Sequence, residues 1–190
     1  MPKKFRTLIY ALILILLSAG AAGALTIKGV DFADRSTLNG EELTLNGAGI
    51  RKKFFLSIYA CALYLPHPTT NAENAIQSDT CKQVIMHFIH SKVGRDKIVK
   101  GWDEGFFNNS QEKMNSLQPR IATFDAFFDK DLVSGDRVVI SYIPEQGTTV
   151  TINETVKGTI PGRDFMEALW AIWLGGNPAD SGMKDGMLGK

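Results

Sequence analysis

The segment of this sequence with the clearest chemical potential is Arg51-Lys52-Lys53, a basic triplet that leads directly into the aromatic run FFLSIYACALYL at residues 54–65. An arginine at the entrance to a buried strand can form a bidentate pair with a carboxylate or bind a polarised carbonyl. A solvated turn would carry the same residues, and residue chemistry alone favours that simpler interpretation. The triplet therefore marks a candidate anion-binding position whose surroundings must decide its role.

A second candidate is the aromatic set Trp102, Phe106 and Phe107, which falls at helical spacing. These side chains could line a ligand cleft, or they could form the ordinary core beneath an amphipathic helix. Both interpretations hold if the core opens into a pocket.

Acidic pairs also occur on predicted helices, at Asp103-Glu104 and at Asp125 with Asp129. Residues four apart share one helix face, and solvated faces are the simpler interpretation of both pairs. The sequence contains no Ser/His/Asp elbow, phosphate-binding loop, dinucleotide fingerprint or thiol motif. We therefore expect no cofactor.

Two cysteines, Cys61 and Cys81, lie near the end of one predicted strand and the start of the next. Antiparallel neighbours would bring them opposite each other, so a disulfide is a candidate in an oxidising compartment. Two separate buried thiols are the alternative. His87 and His90 are three apart in a predicted strand and point to opposite faces, so no metal site is predicted.

The N-terminus has the pattern of an export signal. Three basic residues precede the apolar run of residues 8–17, and small residues ending Ala22-Gly23-Ala24 follow it. This pattern predicts a signal peptide at residues 1–24, removed on export to the periplasm. An uncleaved anchor is the alternative, although the run is too short to span a ~30 Å hydrocarbon core comfortably. We expect no stable membrane span after cleavage.

The remaining residues, 25–190, are about the length of one domain. Without the leader's three basic residues the formal net charge falls from +1 to −2. This balance gives no electrostatic reason to expect nucleic acid or an anionic membrane surface as a partner.

Hydrophobic periodicity predicts strands first, then helices, then a strand meander and a final helix. This order is typical of an α+β fold with a largely antiparallel sheet and helices on one side. The predicted strands are residues 26–32, 41–45, 53–65, 82–90, 137–143, 148–152 and 155–159, with a turn at Asn46-Gly47. The predicted helices are residues 71–77 with Asn71 as cap, 95–117, a second one after Pro119, 161–175 and 181–188.

Residues 45–66 (LNGAGIRKKFFLSIYACALYLP) resemble the chalcone isomerase family, in its bacterial exported branch. Residues 92–106, residues 156–175 and the closing MKDGMLGK agree, so the resemblance covers essentially the whole chain after the leader. It implies an open-faced sandwich: a large antiparallel sheet, a layer of helices on one face, and a cleft between them. In plant members the cleft cyclises a chalcone to a flavanone, and in related plastid members it holds a fatty acid. Neither use needs a metal or organic cofactor.

The resemblance transfers few catalytic residues. The family's cleft arginine corresponds to Arg51, and the enzymes' threonine falls at about Tyr59, whose bulk would reshape the pocket. Their tyrosine and asparagine fall at Gly94 and Gly101, and their last polar residue falls near Ile172. One preorganised donor alone can be worth ~2.7–4 kcal/mol in a transition state, so we predict little or no chalcone isomerase activity.

The leading hypothesis is an exported, non-catalytic protein that binds a small apolar or carboxylate-bearing ligand, such as a fatty acid. The expected cleft residues are Arg51, Tyr59, Tyr64, Trp102 and Phe106. An intramolecular lyase or isomerase is one alternative, with Arg51 as the electrophilic group and a hydroxyl of Tyr59 or Tyr64. A structural or interaction protein of the envelope, its cleft filled by its own side chains, is the other. The oligomeric state is not predicted.

Overall fold

A seven-stranded antiparallel sheet is the largest element of the computed structural model, which describes residues 23–190. The strands are β1 (Ala24–Ile27), β2 (Val30–Ala33), β3 (Arg35–Leu38), β4 (Glu41–Lys53), β5 (Leu56–Leu65), β6 (Lys82–Phe88), β7 (Lys92–Val93), β8 (Leu132–Val133), β9 (Arg137–Ile143), β10 (Gly147–Ile152) and β11 (Thr155–Ile160). The sheet has the order β11-β10-β9-β6-β5-β4-β3, and β1–β2 and β7–β8 form separate pairs. The predicted signal peptide lies outside the described residues, apart from Gly23 and Ala24.

The helices lie against one face of this sheet, where their buried side chains join those of the strands in a single core. They are α1 (Ala72–Gln77), α2 (Arg95–Ser110), α3 (Met114–Ala126), α4 (Arg163–Leu174) and α5 (Ser181–Met187), with a 3-10 turn at Gln111–Lys113. The β1–β2 hairpin covers part of the opposite face through Phe32. The predicted α+β open-faced sandwich is therefore confirmed. None of the helices within residues 23–190 combines the length and apolar character needed to cross a membrane.

Strand β5 alternates between the two faces, and this separates residues that were predicted to act together. Tyr59, Cys61 and Leu63 point toward the helices, whereas Ala62 and Tyr64 belong to the opposite face. Tyr64 is buried there, and its hydroxyl donates to the carbonyl of Ala33 at 2.9 Å. The structure thus corrects the prediction that Tyr64 shares a cleft with Tyr59, because residues five apart in a strand face opposite sides.

The same alternation excludes the candidate disulfide. Cys61 pairs across the strands with Met86 and faces the helices, whereas Cys81 precedes β6 and belongs to the opposite core. Both thiols are free and buried. Of the two alternatives, separate buried thiols is therefore the one observed, because the register places Cys61 opposite Met86, five residues along the chain from Cys81.

Strand β4 is longer than predicted, and its turn lies at the other end. The predicted turn at Asn46-Gly47 is a bulge within the strand, and the chain reverses instead at Phe54 and Phe55. The Asn46 side chain accepts from the Thr69 backbone N–H at 2.6 Å and donates to the Met187 carbonyl at 2.7 Å. A dipeptide typical of turns is therefore used here as a bulge that fastens two neighbouring segments.

The helical region also differs from its prediction. Helix α2 ends at Ser110 rather than at residue 117, and α3 begins at Met114, so Pro119 lies inside α3 rather than before it. The polar stretch at residues 108–113 offers no apolar side chain to the sheet, and there the helix is interrupted. Two other helix predictions are confirmed. Helix α4 buries Phe165 and Leu169 as its spacing indicated, and Asn71 caps α1 by accepting from the Asn74 backbone N–H at 3.1 Å.

Candidate functional site

Arg51 lies near the end of β4, directly opposite Tyr59 of β5. Directly paired residues point to the same face, so Arg51 lies on the helix-covered side of the sheet. Its side chain is 27% exposed, and Nη1 donates to the carbonyl of Lys52 at 2.7 Å. The same nitrogen is 3.9 Å from Oδ2 of Asp180, which makes a loose ion pair rather than a tight bidentate one. The guanidinium therefore keeps donors that are not committed to a carboxylate.

Asp180 connects the end of β4 to α5. As the helix cap, its Oδ1 accepts from the Met183 backbone N–H at 2.9 Å, and its Oδ2 accepts from the Lys52 backbone N–H at 2.9 Å. Sequence reasoning missed this residue as a partner of Arg51. Its local role was visible, because an aspartate directly before a predicted helix is a favoured cap, but the partner depends on tertiary packing.

Tyr59 brings a phenol to the same place. Burial raises the pKa of Tyr59 well above its ordinary value, and the Arg51 guanidinium offsets only part of this effect. Trp173 is a neighbour of Tyr59, and its Nε1 is buried with no hydrogen-bond partner within residues 23–190. Tyr59 is therefore a neutral phenol at physiological pH, suited to donate a hydrogen bond rather than to act as a base.

Trp102 and Phe106 lie in the interior rather than along an open cleft. Their exposed fractions are 5% and 0%. The Trp102 ring packs edge-on against Phe124 and Trp173, with centroids 5.3 Å and 5.6 Å away, and lies 5.5 Å from Phe128. The expected cleft between sheet and helices is thus filled at this position by the protein's own aromatic side chains.

Two cavities open elsewhere on the described surface. One of about 270 Å³ lies between α1, the end of α4 and α5, and one of about 410 Å³ lies between α2 and α4. Arg51, Tyr59, Trp102 and Phe106 line neither of them. Within residues 23–190, no three His, Cys, Asp or Glu side chains are grouped so as to hold a metal ion.

An acidic pair links α2 to α3. Asp125 does not share a solvated face with Asp129, which instead pairs with Lys157 at 2.9 Å. Asp125 is half-buried, and burial together with the neighbouring Asp103 carboxyl raises the pKa of Asp125 to about 7. Burial and a neighbouring carboxyl group both favour the protonated form of Asp125.

This pair makes stability depend on pH. The native pKa lies above the unfolded one, so the stabilisation is fully present below about pH 4 and is lost as pH rises toward about 7. Asp125→Asn, which stays neutral, should be more stable than the wild type by about 1–2 kcal/mol at about pH 8, after allowance for solvent screening. Urea unfolding at about pH 8 and about pH 4 measures the difference in stability, and the two proteins should be equally stable near pH 4. An equal gain at both pH values would show that the proton is not responsible.

Both the sequence and the fold of this chain resemble those of known proteins. The family profile described as chalcone isomerase-like matches residues 24–189. No curated protein matches the chain by sequence. Among solved structures, a fatty-acid binding protein of Arabidopsis thaliana superposes with a TM-score of 0.68, covering 87% of this chain and 96% of that one at 12% identity. At this identity, the likeness to the plant protein concerns the fold.

Proposed function

The chain belongs to the chalcone isomerase-like family, and on that premise we propose that it is a non-catalytic protein that binds a small apolar carboxylate such as a fatty acid. Arg51 would hold the carboxylate, Tyr59 would donate a hydrogen bond to it, and the apolar chain would lie against the helix side of the sheet. The likeness to a plant fatty-acid binding protein supports this choice of ligand class.

The observation that carries the proposal is the incomplete pairing of Arg51. Its side chain is only about a quarter exposed, yet its ion pair with Asp180 spans 3.9 Å. A carboxylate in bidentate contact would be bound at about 2.7–2.9 Å. The indole N–H of Trp173 lacks an acceptor within the described residues. A carboxylate oxygen of the ligand would supply one, either directly or by repositioning the Tyr59 hydroxyl.

Catalysis has little support in this arrangement. Because burial keeps Tyr59 protonated, neither it nor Arg51 can serve as a general base. At the positions that match the enzymes' donors, Gly94 directly precedes α2, Gly101 has open space around it, and Ile172 is buried against Gly105. None of these three side chains can donate a hydrogen bond to a substrate.

Ligand binding under this proposal requires movement of α5. Met183 and Met187 of that helix are fully buried against the sheet, beside Arg51's strand. The ligand carboxylate would replace Asp180 at Arg51, and its chain would take the place of the two methionines. The apparent affinity would then be the intrinsic affinity multiplied by the fraction of molecules in which α5 is displaced, so a small fraction weakens binding.

A second candidate function follows from the closed core. With Trp102 and Phe106 buried among other aromatic rings, the protein could act as a structural or interaction protein of the envelope, with no ligand inside. The binding experiment separates the two functions, because this candidate predicts no ligand uptake.

We also propose that the chain is exported to the periplasm, with residues 1–24 removed as a signal peptide. Two buried, well-separated thiols would stay reduced there without forming an intramolecular disulfide. Protein for the binding experiment should therefore be recovered from the periplasmic fraction, where its intact mass reports the processed N-terminus.

The test is a calorimetric titration of the purified protein with oleate and, separately, with methyl oleate. We expect wild-type protein to bind oleate and Arg51→Met to bind it at least about tenfold more weakly, because a charge-assisted pair is lost. Methyl oleate, which has no carboxylate, should bind both proteins equally. Arg35→Met is the matched control, since Arg35 is exposed and pairs with Glu42.

Two results would contradict the proposal. Absence of oleate binding by the wild type would favour the structural function. Equal oleate affinity of wild type and Arg51→Met would show that the ligand does not use this arginine.

A further inference from the structure

The hairpin between β4 and β5 ends in two solvent-exposed phenylalanines. Lys53 pairs with Leu56, so Phe54 and Phe55 alone form the turn. Phe54 is 90% exposed and Phe55 is 91% exposed, and Leu56 beside them is 41% exposed. The tip therefore presents a convex apolar surface that gains nothing from the protein's own core.

Turn geometry does not explain these residues either. Phe54 has a φ of 57°, a region that bulky side chains rarely adopt. Two-residue hairpin turns with positive φ at the first position favour glycine there, and glycine would relieve the strain. Neither folding nor turn formation therefore favours phenylalanine at this position, which points to a role outside the fold.

The charge next to the tip indicates the partner. Lys52 and Lys53 are exposed and directly precede the two phenylalanines, with Arg51 behind them. The chain after the leader has a formal net charge of −2. The basic cluster is therefore a local feature that the net charge does not reveal. Basic side chains beside exposed aromatic rings match a surface that is anionic outside and apolar beneath.

We propose that this hairpin tip docks on an anionic lipid bilayer. Phe54 and Phe55 enter the boundary between headgroups and acyl chains, and Lys52 and Lys53 contact lipid phosphates. A bilayer can surround both rings, whereas a flat protein partner would cover one side of so narrow a projection. A second copy is disfavoured because a symmetric contact between tips would place the two lysine pairs against each other.

Docking on two aromatic side chains and two lysines is reversible rather than a permanent anchor. It would bring Arg51, which lies close to the tip, near lipid carboxylates; this consequence alone rests on the proposed ligand-binding function. The docking itself does not depend on that function, and vesicles without fatty acid test it separately.

The experiment is co-sedimentation of the periplasmically purified protein with vesicles of equal parts phosphatidylglycerol and phosphatidylcholine. The decisive variant is Phe54→Gly/Phe55→Ser, which suits the turn and should leave the melting temperature unchanged or higher. We expect its vesicle affinity to fall by about tenfold or more, since both apolar side chains are lost. Phe107→Ser, which removes a 53% exposed phenylalanine from α2, should bind vesicles like the wild type.

A second readout reports on the tip itself. In Phe55→Trp, brominated acyl chains should quench the new tryptophan, whereas the buried native tryptophans of the wild type should not be quenched. Binding should weaken with added salt and in pure phosphatidylcholine, as well as in Lys52→Glu/Lys53→Glu. The Phe55→Trp protein identifies contact by the hairpin even if another segment also touches the vesicle.

Three outcomes would overturn the proposal. The wild type does not bind anionic vesicles; the Phe54→Gly/Phe55→Ser protein binds them equally well; or the tryptophan at position 55 is not quenched. If the wild type does not bind vesicles but forms a dimer, and the Phe54→Gly/Phe55→Ser protein is a monomer, the tip serves self-association instead.

Discussion

Replacement of Trp102 with alanine is expected to lower the free energy of unfolding by about 3–5 kcal/mol, the range for a large aromatic side chain removed from a packed core. Trp102 is 5% exposed and contacts aromatic rings on both α3 and α4. Neighbouring helices cannot collapse around so large a void without losing their own contacts with the sheet. Urea unfolding monitored by circular dichroism measures the loss, and Trp102→Phe provides a milder variant if the alanine protein does not fold.

The matched control is Phe107→Ala, five positions along the same helix. Phe107 is 53% exposed, so its removal should change stability by no more than about 0.5 kcal/mol. If Trp102→Ala cost as little as Phe107→Ala, Trp102 would line a solvent-filled cleft, as the sequence alone allowed. The comparison therefore decides between the two interpretations of the aromatic set.

Periodicity predicted the elements in which apolar and polar residues alternate according to which side chains are buried. The meander at Arg137–Ile143 and the following strands fell where alternation and turn residues placed them, and α4 followed its apolar spacing. Apolar runs carry less information. In residues 54–65 every position is apolar, aromatic or small, so neither the start of β5 nor the face that meets the helices could be assigned from the pattern alone.

The surroundings of Arg51 were predictable only in part. The arginine itself stood out beside an aromatic segment, and the family resemblance placed Tyr59 in the same expected cleft, but only the structure shows that the two residues pair across β4 and β5. Its contact with Asp180 spans 129 positions of the chain and depends on how α5 packs, which no local pattern records. The exposed tip was missed for a different reason: phenylalanine is read as a core residue, and only the structure shows Phe54 and Phe55 on the outside.

Helix α5 lies on β4 through glycines, and this contact leads to the second large effect. A Cβ at Gly186 would lie 2.4 Å from the carbonyl oxygen of Ala48, and one at Gly49 would lie 2.6 Å from the Met183 backbone. Real Cβ atoms do not approach backbone this closely, so alanine at Gly186 must push the helix off the sheet. We expect Gly186→Ala to lose about 3 kcal/mol of stability, although alanine favours helix by about 1 kcal/mol.

Gly182→Ala is the control within the same helix. Its Cβ would lie 3.5 Å from Oδ1 of Asp180, an ordinary contact, so propensity should dominate and stability should stay equal or rise by up to about 1 kcal/mol. Urea unfolding measures both variants, and amide exchange at residues 181–188 shows whether α5 is released. If Gly186→Ala were as stable as Gly182→Ala, the helix would not lie closely on the strand.

The pair of variants also tests the proposed route of the ligand. If the acyl chain binds where Met183 and Met187 now lie, release of α5 removes a competitor, and Gly186→Ala should bind oleate at least as tightly as the wild type despite its lower stability. If oleate affinity falls together with stability, α5 forms part of the binding site rather than its cover. In the first case Asp180 occupies the ligand's position at Arg51, and the closed core is the unliganded state of a binding protein.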